Sequence, residues 1–210
     1  MKTAARGDVV FFGMDAPFSR AVLAEVDDLL PGAIRAVVMR GIGSRLMRVR
    51  VGGSDSLTNE AQRRALCVLT DDGSRDLIDD LAAMRPQYIL VACYPARIPR
   101  AIRALARKAC LNLHPSLLPR YRGAAPVFWQ LRAGEAETGV TLHRVTSRLD
   151  AGEIASRRRV VLPDGATSVE IDRLLGRAGA ALFVPCAGRP DDISWIRQDE
   201  RPATSQPLPG

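Results

Sequence analysis

Short, almost wholly apolar runs alternate with segments of helical periodicity through the first half of this chain, and that alternation constrains its fold more than any other feature. Val9, Val10, Phe11 and Phe12 open a run over residues 9–13, and further runs follow at 34–39, 66–69 and 88–93. Each is too short for a helix and too continuously apolar for a strand with one wet face. Between them, residues 18–30 place Phe18, Val22, Val26, Leu29 and Leu30 at helical spacing, stopped by Pro31-Gly32. Residues 74–84 carry Leu77, Ile78, Leu81 and Met84 on one face, and residues 98–108 read as another helix. Strand–helix alternation of this kind predicts an α/β fold, a mostly parallel sheet with helices on both faces. In such sheets ligands sit beyond the carboxyl ends of the strands.

The second half changes character. A strand over 111–114 leads into a proline-rich loop over 115–126. A short helix is expected at 127–132, strands at 139–145 and 154–162, and a closing helix at 166–184. Beyond Pro185 the pattern fades, and Pro202, Pro207 and Pro209 mark a loose tail or linker. Residues 1–185 are thus expected to form one catalytic-sized domain and 186–210 a proline-rich tail. A short strand is also expected over 47–51, before a loop at 52–56.

Composition narrows the function classes. A hydrophobic content of 47% in 210 residues is enough for one buried core. No apolar run approaches the ~20 residues that span a bilayer. The N-terminal run is too short for a signal-peptide core and lacks a small-residue cleavage site, so a cytoplasmic protein is expected. Cys67, Cys93, Cys110 and Cys186 form no C-x-x-C pair, and with two histidines there is no zinc set; four buried, reduced thiols and no metal are expected. The net charge of +7, carried mostly by arginine, suits either an anionic partner or a solvated basic surface. Only Arg157-Arg158-Arg159 form a run, no aromatic-interleaved nucleic-acid motif is present, and no DNA partner is expected.

Three polar residues suggest chemistry. Asn112 and His114 are two apart in a strand, so they share a face, and Asp150 precedes Ala151-Gly152 in a loop. Acyl transfer to an amine needs such groups: an amide to donate to a developing oxyanion, an imidazole to take or relay a proton, and a carboxylate to orient and charge that imidazole. On residue chemistry alone, a structural strand-end histidine and a simple Asp-Ala-Gly turn account for them equally well. His143 alternates with Leu142 and is read as structural, Phe128 and Trp129 as helix packing, and Tyr121 and Arg122 as acceptor contacts or surface loop.

The residues around them resolve the choice. The run Asn112-Leu113-His114-Pro115-Ser116-Leu117-Leu118-Pro119-Arg120-Tyr121-Arg122-Gly123-Ala124-Ala125-Pro126 closely resembles the signature of 10-formyltetrahydrofolate-dependent formyltransferases. A second block, Gly139-Val140-Thr141-Leu142-His143-Arg144 and then Leu149-Asp150-Ala151-Gly152-Glu153-Ile154, resembles the family's second motif in the right order and at the right distance. The resemblance runs from the first strand to Val184.

The resemblance implies a Rossmann-like three-layer domain in which Asn112, His114 and Asp150 are catalytic. It implies a folate held between residues 94–98, including Ala96, Arg97 and Ile98, and residues 145–150, including Val145. Ser116 and Leu118 match a loop beside the formyl group, and the bond before Pro119 matches a frequent cis position. The acceptor is an amine. Residues 13–19 lack the glycine-rich phosphate loop of glycinamide ribonucleotide enzymes, so the methionyl-tRNA and sugar-nucleotide branch fits better. Without the further barrel domain usual in methionyl-tRNA enzymes, a small amine such as an amino sugar nucleotide or amino acid derivative is the leading expectation. A tRNA acceptor, hydrolysis of formyltetrahydrofolate, and a non-catalytic folate-binding module are the alternatives.

Overall fold

A computed structural model describes residues 8–41 and 56–209. The strand expected at 47–51 and all but the last residue of the loop at 52–56 lie outside the described residues. Nine strands occur among those described: β1 (Val9–Gly13), β2 (Ile34–Arg40), β3 (Cys67–Asp71), β4 (Tyr88–Ala92), β5 (Ala109–His114), β6 (Arg122–Gly123), β7 (Glu137–Arg144), β8 (Ile154–Val161) and β9 (Ser205–Gln206). The helices are α1 (Pro17–Leu29), α2 (Leu57–Arg63), α3 (Arg75–Met84), α4 (Arg100–Arg103), α5 (Pro126–Arg132) and α6 (Ser168–Gly188).

Seven strands form one sheet in the order β3-β2-β1-β4-β5-β7-β8. The first five are parallel, and β7 pairs antiparallel with both β5 and β8. This is the expected α/β three-layer, Rossmann-like architecture. One face buries Val9, Phe11, Leu90, Leu111, Leu113, Val140 and Leu142 beneath α1 and α6. The other buries Val10, Phe12, Val38, Ile89, Val91 and Cys110 beneath Leu77 and Leu81 of α3, with Ile98 and Ile102. Both faces of the inner strands are therefore dry, which is why their sequences do not alternate.

Local chemistry sets the helix ends. Pro17 opens α1, where its missing N–H costs nothing. Thr167 and Glu170 close a reciprocal capping box on α6. Gly176 lets α6 approach α1, because a Cβ there would meet Ala21 Cβ at 2.6 Å.

The structure corrects four expectations. The helix expected over 98–108 is only the four residues of α4, because the Arg107 and Lys108 amides donate to the Pro86 and Gln87 carbonyls and draw the chain straight into β5. The boundary at residue 185 falls inside α6, which carries Pro185 and runs on to Gly188. The residues beyond it are not loose. Ile196 bridges Ile154, and β9 pairs in parallel with β6. Finally, Cys67 is exposed, because it opens the edge strand β3; Cys93 and Cys186 are half-buried, Cys110 is buried, and all four thiols are free. Among the described residues no helix is long and apolar enough to cross a membrane.

Candidate active site

The pleat of β5 creates the site. Leu111 and Leu113 enter the core under α1 and α6, so Asn112 and His114 must point to the opposite face. There the apolar layer ends at Cys110 on β5. The antiparallel register of β7 sets His143 opposite Asn112 and Thr141 opposite His114. A face that is hydrocarbon beneath β1 and β4 thus becomes polar along β5 and β7. Residues 145–150 then return the chain so that Asp150 stands over these side chains.

The cluster is tightly connected. Asn112 Nδ2 donates to Asp150 Oδ1 at 3.3 Å. Asp150 Oδ2 accepts from the Gly123 amide at 2.9 Å and faces His114 Nδ1 at 3.6 Å. His114 Nε2 donates to the Tyr121 carbonyl at 2.7 Å, which fixes the proton of the neutral ring on Nε2. His143 donates from Nδ1 to the Arg144 carbonyl at 2.9 Å, leaving Nε2 to accept from Asn112. His114 and Asp150 are buried, at 4% and 8% exposure, while Asn112 is half-buried.

Burial alone would push the Asp150 carboxyl up. The imidazoles of His114 and His143 and the Gly123 amide outweigh it and hold that carboxyl well below the usual carboxylate range. For His114, burial is the largest influence and lowers the ring below its ordinary value; Asp150 and the Tyr121 carbonyl pull it back only in part. Asp150 raises the imidazole, as the sequence leads one to expect, and burial lowers it by more. At neutral pH the pair is a carboxylate beside a neutral ring.

All three catalytic residues expected from sequence meet here. The sequence reading missed the orientation of His143: it faces the cluster, 3.5 Å from Asp150 Oδ1. What orients it is the antiparallel pairing of β7 with β5, which places partners on one face. Tyr121 and Arg122, expected as acceptor contacts or surface loop, are both buried, and the Arg122 guanidinium binds Gln198 and Glu200. Phe128 is 42% exposed and stacks edge-on with Trp129 on the outer side of α5, because the inner side is taken by Val127 and Gln130.

The residues expected around a folate divide in two. Ile98 is buried in the apolar layer that ends at β5, with half-buried Tyr94 and Val145 packed against it. Ala96 is half-buried and Arg97 exposed at its rim. Ser116 and Leu118 are wholly buried within their own loop. The Ser116 hydroxyl donates to the Arg120 carbonyl at 2.7 Å, and the Leu118 amide donates to Thr141 Oγ1 at 3.1 Å. The Leu118-Pro119 bond is cis. Among the described residues no group of histidine, cysteine and carboxylate side chains could hold a metal.

A family model described as formyl transferase matches residues 58–185, more than half of the chain and all three polar residues of the cluster. The methionyl-tRNA formyltransferase of Moorella thermoacetica is 41% identical over 115 residues, 55% of this chain and 37% of its own length. That of Carboxydothermus hydrogenoformans is 36% identical over 150 residues, 70% of this chain and 49% of its own. The chain thus spans half or less of the length of these relatives. Among solved structures, glycinamide ribonucleotide transformylase 1 from Symbiobacterium toebii superposes with a TM-score of 0.67 at 19% identity, covering 91% of this chain and 93% of that one. The N-formyltransferase from Helicobacter canadensis, in complex with folinic acid and dTDP-3-aminofucose, gives 0.68 at 17%, covering 96% and 71%. The structural likenesses speak for the fold, and the family match covers most of it: this chain belongs to the formyl transferase family.

Proposed function

We propose that this chain transfers a formyl group from 10-formyltetrahydrofolate to a primary amine. The observation that carries the reading is the cluster of half-buried Asn112 with buried His114 and Asp150, in which Asn112 donates to Asp150 at 3.3 Å and His114 Nδ1 lies 3.6 Å from Asp150 Oδ2, inside a formyl transferase domain. Half-buried Tyr94 and Val145, packed on the layer that holds buried Ile98, would give a folate ring an apolar flank beside half-buried Asn112, which suits a flat ring with a polar edge. When bound, that co-substrate supplies the formyl group.

The chain's own residues do the rest. Asn112, the least buried of the three, turns a donor toward the formyl oxygen as negative charge develops there. His114 takes up the proton that the attacking amine must lose, at Nδ1, because Nε2 is committed to the Tyr121 carbonyl. Asp150 Oδ2 then receives that N–H and stabilises the imidazolium, which gives the proton to the folate nitrogen as its bond to the formyl carbon breaks. The packed surroundings of His114 keep water from competing with the amine.

For the acceptor, the structural neighbour crystallised with an amino sugar nucleotide supports a small amine. The identity to methionyl-tRNA formyltransferases favours a second reading, an aminoacyl-tRNA amine. The test is formyl transfer from 10-formyltetrahydrofolate to a panel of amino sugar nucleotides, amino acid derivatives and methionyl-tRNA. Folate turnover without any formylated amine would mean hydrolysis, and neither folate binding nor turnover would overturn the reading.

A further inference from the structure

Residues 193–209 run back across the site, and their contacts fall on the groups that hold His114 and Asp150. Gln198 Nε2 donates to the carbonyls of Asp150 and Gly152, both at 2.8 Å. Its Oε1 accepts from Arg122 Nη2 at 2.7 Å and Nε at 3.2 Å. Arg122, 5% exposed, also pairs with Glu200. Thr204 Oγ1 accepts from the Tyr121 amide at 2.7 Å, and its carbonyl accepts from the Arg122 amide at 2.9 Å. Gly123 then pairs with Gln206.

These contacts meet at two points. One is the turn carrying Asp150, whose left-handed φ of 48° is uncommon for aspartate and needs holding. The other is residues 121–123, which give the carbonyl that binds His114 Nε2 and the amide that binds Asp150 Oδ2. Segments far apart in sequence are thus tied together by one carboxamide that uses both its donors and its acceptor. A tail that merely packed would bring apolar area; here polar atoms reach the immediate supports of the two residues.

We propose that Gln198, with Thr204, is a positioning residue of the active site: it clamps the Asp150 turn to residues 121–123 and so sets the placement of Asp150 and the tautomer of His114. This rests on the formyl-transfer reading for its effect on rate, but not for its effect on the ring. Supports one step removed from the reacting groups typically cost 10–100-fold on mutation.

The experiment uses the full chain, three disruptive variants and one restoring variant. Gln198→Ala removes the clamp. Gln198→Glu keeps the acceptor for Arg122 but turns a carboxylate oxygen on two carbonyls. Thr204→Val, at an exposed position, removes only the acceptor of the Tyr121 amide, and Thr204→Ser restores it. Nitrogen-15 spectra read the tautomers directly, since the chain has two histidines. We expect the Nε2–H form of His114 to lose population in all three variants, kcat to fall about 10–100-fold, the folate KM to stay put, and Thr204→Ser to recover both readouts. Unchanged His114 signals with only a lower melting temperature would reduce the segment to packing and overturn the proposal. A rise in kcat would overturn it too, by showing restraint rather than positioning. If the wild type transfers no formyl group to any acceptor, the functional reading fails, while the spectra still decide the clamp.

Discussion

Asn112 and His143 are register partners on adjacent antiparallel strands, and the amide nitrogen of the first lies 3.1 Å from Nε2 of the second. With the bond to Asp150 Oδ1, this commits both hydrogens of the Asn112 amide within the cluster. A ligand oxygen that takes a hydrogen bond from Asn112 must therefore take it from His143 or Asp150. The donor is held in place before the ligand arrives, which is what makes an oxyanion site effective.

Asn112→Ala should fold normally and lose about 10²–10³ in kcat, the cost of one preorganised donor. Steady-state turnover beside a thermal melt checks this. Near-normal turnover would make Asn112 a strand residue that holds Asp150 and nothing more.

The pH–rate profile should carry an acid limb below the ordinary imidazole value, because burial lowers His114. Asp150→Asn should lower turnover and move that limb further down, since a neutral amide no longer favours the imidazolium. The limb belongs to the coupled pair rather than to either residue. His114→Ala should remove most activity. A profile identical in wild type and Asp150→Asn would confine Asp150 to its turn.

The same carboxylate should govern acid stability. The folded state holds Asp150 below its unfolded value of about 3.9, so its contribution is complete above that pH and is lost as pH falls toward the lower folded value. Melting curves of wild type should therefore drop more steeply below about pH 4 than those of Asp150→Asn. Parallel curves would show that Asp150 titrates alike in both states.

Val145 is half-buried against the apolar layer beside Asn112, so Val145→Ala should cost mainly folate contact. Two lost methyl groups at about 0.8 kcal/mol each correspond to roughly a tenfold rise in folate KM, with kcat little changed. Calorimetry with 5-formyltetrahydrofolate gives the same quantity without turnover. An unaltered affinity would move the folate away from residues 145–150.

Gly152 sits where a Cβ would come within 2.0 Å of the Arg144 carbonyl oxygen. Gly152→Ala must therefore displace the turn that carries Asp150. Turnover should fall together with melting temperature, unlike in Asn112→Ala, where turnover alone falls. A fully active, stable variant would show that the turn is free to relax.

The sheet was legible where burial on both faces left continuous apolar runs, as in Tyr88–Ala92, and Asn112 and His114 were legible because a two-residue step fixes their shared face. What failed did so for non-local reasons. Ile98, Ile102 and Leu105 are spaced as on a helix, yet the amides of Arg107 and Lys108 find partners before β5 and end it early. The two-residue strands β6 and β9 have no period to detect and exist through their pairing with each other. His143 could not be oriented without knowing that β7 runs against β5. Gln198 carries no motif; its place follows from where residues 121–123 and the Asp150 turn come to lie.

The run Arg157-Arg158-Arg159 stands exposed on β8, the last strand of the sheet, whose outer edge pairs with no further strand among the described residues. Such an edge is a template on which another chain can add strand by strand. Here addition would lay a column of guanidinium groups against its own kind at a spacing of about 4.8 Å. Ile196 already occupies the start of the edge through its bridge to Ile154. Like charges at this place oppose growth of the sheet by addition of a second copy along that edge.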